Sequence, residues 1–177
     1  MVRIKNDFYI CPTHLNLLDM TYSRSRLIAL VLLRVAIGWH FLFEGASKIL
    51  NPDWSSKAYL MDAQGIFSGL FGWLAANESR LAVVDFLNEW GLTLVGLGLV
   101  LGLFTRLSTV AGIILLIFYY LSHPAWPGLE YMFPSEGSYF IVNKNIVEIV
   151  ALIVLFFFPT GHIIGIDRFF LKPANNN

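Results

Sequence analysis

Cysteine is almost missing from this chain: Cys11 stands alone among 177 residues. A single thiol can close no internal disulfide, no Cys-x-x-Cys redox pair and no thiolate metal cage. Charge is scarce as well. Lys and Arg total 12, Asp and Glu total 12, and together they make up 14% of the residues, against about 25% in soluble domains. A net charge of zero excludes nucleic acid as a partner, because gripping a phosphate backbone takes a basic surface that displaces counterions. No Gly-rich phosphate loop, no nucleophile motif and no compact His, Asp and Glu set with metal-ligand spacing occurs. A cleavable signal peptide is not expected either. The first apolar run is too long, is interrupted by Arg34 and lacks a small-residue cleavage site.

What the chain has in quantity is apolar surface. Hydrophobic residues make up 56% and the mean hydropathy is +0.65, above the roughly 45–50% apolar content of soluble domains. The expectation is an all-α integral membrane protein, a four-helix bundle with spans at about 27–50, 86–104, 107–122 and 141–158. Segment 1–26 precedes the bundle and a polar tail, 171–177, follows it. The connection from Asn51 to Asp85 places Leu60, Ala63, Phe67, Leu70, Phe71 and Leu74 at helical spacing. Trp54, Tyr59 and Trp73 favour the membrane–water boundary, so short amphipathic helices on the membrane surface are expected there. The segment after Pro124 is rich in Pro and Gly and reads as an irregular cap. In the second span Gly91, Gly98 and Gly102 lie near one face and permit close backbone approach. Seven Lys and Arg flank the bundle on the side of both termini and two on the other side. The positive-inside rule then puts both termini in the cytoplasm and the protein in the inner membrane.

The stretch from Leu27 to Leu50 organises the rest. It is long enough to cross a bilayer, yet it carries Arg34, His40, Glu44 and Lys48. On insertion scales each such group placed at mid-span costs at least about 2.5–3.5 kcal/mol. His40, Glu44 and Lys48 are four apart and drift by about 40° per step, so they form one stripe. Glu44 and Lys48 stand in the favourable i, i+4 order. Lys144 and Glu148 repeat the spacing on the fourth span, behind Asn143 and with Asn145 between them. The alternating topology brings these groups to one layer, together with Trp90 at the start of span two and His123 at the end of span three. Only Arg34 lies distinctly deeper. One reading is a pocket in which Glu44, Glu148 and His40 handle protons, while Arg34, Lys48, Asn143, Lys144, Asn145, His123 and Trp90 bind substrate. The other is a charge network that fixes helix register.

The run RVAIGWHFLFEGASKI, then WSSKAYLMDAQGIFSGLFGWLA, VDFLNEWGLTLVGLGLVLGLFTRLSTVAG, YYLSHPAWPG, VNKNIVEIVAL and GHIIGIDRF resembles the DoxX family. More narrowly it is similar to DoxD, the small multi-span subunit of thiosulfate:quinone oxidoreductase. The resemblance covers about Arg26 to Phe170. It implies electron transfer from a small donor, thiosulfate in DoxD-like enzymes, to a quinone acceptor, with tetrathionate as product. A DoxA-type second subunit or another envelope complex, membrane lipid and a further copy of the chain are the partners to expect. The competing function is a non-catalytic membrane subunit that binds lipid or quinone and scaffolds such a complex.

Overall fold

The computed structural model describes residues 23–132 and 140–170. The expected segment 1–26, apart from its last four residues, lies outside the described residues, as do tail 171–177 and residues 133–139 of the Pro-rich cap. Among the described residues every regular element is a helix: α1 (Arg24–Ile49), α2 (Lys57–Met61), α3 (Ser68–Ala75), α4 (Glu78–Leu101), α5 (Thr105–Ser122), α6 (Lys144–Phe157) and α7 (Asp167–Phe170). Three of them, α1, α4 and α5, are long and apolar enough to cross a membrane. The connection between α1 and α4 contains the short helices α2 and α3.

Local chemistry moves two boundaries from where hydropathy puts them. Helix α4 starts at Glu78 rather than near Phe86 because Asn77 caps it, accepting from the Ser79 N–H at 3.0 Å and the Arg80 N–H at 3.3 Å. Glu78 in the first turn suits the positive end of the helix dipole. Helix α6 starts at an Asn143 cap, whose side chain accepts from Ile146 N–H at 3.2 Å, and stops short of Pro159. Its 14 residues extend about 21 Å at 1.5 Å per residue, less than the roughly 30 Å hydrocarbon core. The segment expected as a fourth span is therefore a shorter helix than 141–158.

Helix α1 packs along α4, α5 lies between α4 and α6, and α6 returns to touch α1. The α1–α4 contact is antiparallel and nearly backbone to backbone. A methyl group on Gly96 would sit 2.6 Å from the Leu42 Cα, and one on Gly38 would sit 2.9 Å from the Val100 N. On Gly45 it would meet the Thr93 N at 2.5 Å. Of the glycines singled out in the sequence, Gly98 instead faces Ser108 of α5, and Gly102 ends α4 in the left-handed conformation at φ +65°. The close approach to α1 thus runs through Gly96. Phe41, Leu92, Val95, Leu99, Leu116, Leu152 and Leu155 fill the space between the four long helices. Leu60, Ala63, Phe71, Ala75 and Leu81 form a second cluster under α2 and α3. Leu32, Trp39, Phe43, Leu94, Leu107 and Val147 point outward, the arrangement of a protein whose surroundings are lipid.

At the end of the molecule where α4 turns into α5, Arg34 is only 2% exposed. Its guanidinium donates to Thr160 Oγ1 at 2.9 Å and to the Ile164 carbonyl at 2.7 Å. The Asp167 carboxylate offsets its charge. Asp167 also accepts from Phe104 N–H at 2.6 Å, Thr105 N–H at 3.1 Å and the Thr105 hydroxyl at 2.9 Å. Ile166 N–H and Asp167 N–H in turn donate to the Leu101 and Gly102 carbonyls, both at 3.0 Å. The segment after α6 is thereby clasped to α1 and to the α4–α5 turn.

Asp167→Ala strips three donors of their acceptor and leaves Arg34 without its counter-charge. We expect a loss of about 3–5 kcal/mol, the cost of breaking a buried charged pair from one side. Asp167→Asn keeps an acceptor oxygen and should lose less. Thermal unfolding in detergent, followed by tryptophan fluorescence, checks the order; equal melting temperatures for wild type and Asp167→Ala would contradict it.

Candidate functional site

At the opposite end, where α1 and α5 finish and α6 begins, the helices part around a cavity of about 420 Å³. Its walls include His40, Glu44 and Lys48 from α1, Asn88 from α4, Tyr119 from α5, and Asn143, Lys144, Asn145 and Glu148 around the start of α6. Trp54 and Tyr59 come from the α1–α4 connection, and His123, Trp126 and Tyr131 from the segment after α5. Of the residues proposed from sequence, the structure brings His40, Glu44, Lys48, His123, Asn143, Lys144, Asn145 and Glu148 to this one space. Arg34 is not among them, since it is held in the clasp at the far end. Trp90 is not either; it is 44% exposed on the outer surface beside Phe86.

One wall is charged. Lys48 Nζ lies 2.8 Å from Glu44 Oε2, the i, i+4 pair that the spacing calls for, and also 5.5 Å above the Trp54 ring. Glu148 is turned across the helix gap toward α1: its Oε1 lies 2.9 Å from His40 Nδ1. The two groups are thus paired across the gap, and the other carboxylate oxygen, Oε2, has no hydrogen-bond partner among the described residues.

The facing wall is aromatic and nearly neutral. The His123 ring stacks on Tyr59, with centroids 3.9 Å apart, and tilts against Tyr131 at 4.6 Å. Its Nδ1 lies 3.0 Å from the Ser122 hydroxyl and its Nε2 lies 3.5 Å from Asp62 Oδ2. Asn88 donates to the Tyr119 hydroxyl at 2.6 Å. Burial pushes the Tyr59 hydroxyl up to about 12, so Tyr59 stays a neutral phenol. It also holds the His123 imidazole below its ordinary value, against the opposing pull of Asp62.

The lid of the cavity is pinned from α4. Asp85 accepts from the Ser55 hydroxyl at 2.9 Å, from Ser56 N–H at 2.8 Å and from the Ser56 hydroxyl at 2.5 Å. Ser55 and Ser56 line the cavity, so this carboxylate fixes how the connection lies over it. Asp62 does the same on the far side, accepting from Met132 N–H at 3.0 Å.

Among the described residues Glu148 Oε2 and Asn88 Oδ1 are buried around this cavity without a hydrogen-bond partner, and His40 Nδ1 and His123 Nε2 are met only at ion-pair distance, by Glu148 and Asp62. Buried polar groups in native proteins are nearly always satisfied. The two unpartnered oxygens, one on each wall of one space, mark a place built for something polar. Asn88, Tyr59, Tyr119, Tyr131 and Asp62 complete the site beyond the residues proposed from sequence. Three of them had a signal, Tyr59 as a residue type of the membrane–water boundary. Asn88 opens the second span, and Tyr119 precedes His123 by one helical turn.

A family model described as DoxX matches residues 29–124, more than half of the chain. No curated protein and no solved structure matches.

The His123 environment yields a pH test. Its folded-state value is depressed from 6.5, so below that pH the unfolded chain binds more protons than the folded one and stability falls. His123→Gln removes this contribution and should flatten the stability profile on the acid side of about pH 6.5. Denaturation midpoints across pH read it out; an equally steep acid loss in the variant would contradict the assignment.

Proposed function

The chain belongs to the DoxX family, and from that premise we propose that it is a membrane oxidoreductase subunit whose cavity receives a quinone ring as electron acceptor. The observation that carries this reading is one cavity of about 420 Å³ with ion-paired groups on one wall and neutral aromatics on the other, where Glu148 Oε2 and Asn88 Oδ1 have no partner among the described residues. A quinone is a flat apolar ring with an acceptor oxygen at each end, and Tyr119 and Trp126 offer faces on which such a ring stacks.

The electron donor is a small anion, thiosulfate by family resemblance. Lys48 and Lys144, with the Asn143 and Asn145 amides, give the charged wall the groups an anion needs. In the overall step two thiosulfates join through a new S–S bond and each gives up one electron. The quinone takes both electrons and two protons to become a quinol. His40 and Glu148 supply the proton on their side, because an imidazole–carboxylate pair can exchange a proton near neutral pH. Glu44 holds Lys48 in place.

In this reading α6 and its flanking residues complete a four-helix bundle, both termini face the cytoplasm, and the cavity opens outward from the inner membrane. A DoxA-type second subunit docks on the outer side, over the α2–α3 connection, whose Ile66, Phe67, Leu70 and Trp73 are exposed.

Protein reconstituted in nanodiscs should bind a short-chain benzoquinone, seen as quenching of Trp54 and Trp126 fluorescence. With thiosulfate and a DoxA-type partner it should form quinol. Glu148→Gln should keep the fold and lower turnover about 10²-fold, the lower range for losing an acid–base group. Lys48→Met should raise the half-saturating thiosulfate concentration with less effect on turnover. Quinone binding without turnover, with the partner present, would favour a non-catalytic scaffold instead.

A further inference from the structure

Reducing a quinone takes two protons, and the two oxygens that receive them sit at opposite ends of the ring. The pair His40 and Glu148 serves one wall of the cavity only. The other wall contains a chain of exchangeable groups that ends away from the cavity, at a carboxylate.

We propose that Asp62, His123, Ser122 and Tyr59 form a proton relay from the loop side of the molecule to the quinone oxygen on the aromatic wall, with Tyr59 as the terminal donor. The inference rests on the quinone reading above. Each step has a geometric basis. Asp62 caps the C-terminus of α2 next to exposed Met61 and accepts from the N–H of exposed Met132, while its own side chain is 8% exposed. Its Oδ2 lies 3.5 Å from His123 Nε2, an atom with no other partner among the described residues. His123 Nδ1 lies 3.0 Å from Ser122 Oγ, and Ser122 Oγ lies 3.2 Å from the Tyr59 hydroxyl. Tyr59 lines the cavity.

The proton accounting closes. Tyr59 gives its hydroxyl proton to the reduced quinone oxygen and is refilled by Ser122. Ser122 takes a proton from His123 Nδ1, and His123 takes one on Nε2 from Asp62, which recovers its own from water; His123 ends as the Nε2–H tautomer and regains the Nδ1–H form by proton exchange with water before the next turnover. No electron moves along this path. Ser122 has a single hydroxyl proton and three neighbours, since it also donates to the Tyr119 carbonyl at 2.9 Å. At rest that proton is parked on the backbone, and passing it to Tyr59 requires only rotation about the Cβ–Oγ bond. The 3.5 Å gap at Asp62 exceeds a good hydrogen bond and closes by a small turn of the imidazole. The stacking of His123 between Tyr59 and Tyr131 confines that turn to the ring plane. Tyr59 is also a suitable last member. Its burial keeps the phenol protonated until an oxygen basic enough to accept, such as that of a fully reduced ring, stands beside it.

The test uses the full chain in nanodiscs, loaded with a short-chain benzoquinone and wired to an electrode, so that reduction needs neither thiosulfate nor a partner. Tyr59→Phe preserves the stack on His123 and should slow proton-coupled reduction about 10²-fold at unchanged quinone content. His123→Gln should do the same, the double variant should be no slower than either single one, and added imidazole should restore rate to His123→Gly. Tyr59→Phe keeps the test decisive where a His123 variant fails to fold. Wild-type rates in Tyr59→Phe and His123→Gln, with quinone bound, would overturn the relay and leave the quinone reading standing. So would multiplicative losses in the double variant. A wild-type protein that retains no quinone would overturn both.

Discussion

Everything else in the molecule depends on how closely α1 can lie on α4. Gly38, Gly45 and Gly96 leave no side chain between the two backbones, and the contact fixes the rotation of α1 about its own axis. Without a hydrophobic driving force between helices in lipid, such close packing is what holds them together. Once the glycine face is committed to α4, the stripe of His40, Glu44 and Lys48 has one place to go, inward toward the start of α6. A bulkier residue at Gly96 would do more than weaken packing. It would turn the charged wall away from the site.

The two walls of the cavity solve the problem of buried polarity in opposite ways. On the charged side, ions are paired: Lys48 with Glu44 along α1, and His40 with Glu148 across the gap to α6. Pairing is the condition under which charges persist away from water. On the aromatic side, groups are kept neutral. Burial favours the uncharged forms of Tyr59 and His123, and ring stacking takes the place of ion pairing. The result is a polarised space, charged on one wall and neutral on the other.

Much of the fold and part of the site are legible in the residues. The i, i+4 stripe on α1, the Asn143–Glu148 cluster and strict up–down alternation bring these groups to one end by geometry alone. The partner of Glu148 is not legible in the same way. Lys144 stands at the right spacing, yet the carboxylate is turned to His40 because interhelical packing decides which way it points. Asp62, Tyr59 and Tyr131 are harder to read as site residues, because helical spacing in one connection says nothing of its pairing with the segment after α5. Hydrogen bonds of Asp85, Asp62 and Gln64, with the packing of Leu60 and Phe71, fix where those segments lie. The conspicuous Gly98-x-x-x-Gly102 pattern shows the same limit. Small residues announce that something comes close, but not which neighbour, and here the closest approach to α1 is at Gly96. Hydropathy also overstates α6, since a window average does not register that Asn143 and Pro159 bound the helix.

The clasp on Arg34 has a bearing on how the protein is made. Its two hydrogen-bond acceptors, Thr160 and Ile164, follow it by 126 and 130 residues. A ribosome adds about 5–20 residues per second, so the first helix must wait many seconds with its guanidinium uncompensated. Full burial becomes favourable only when the last stretch of the chain arrives. The clasp is therefore among the latest contacts the chain can form, although it secures its earliest described helix.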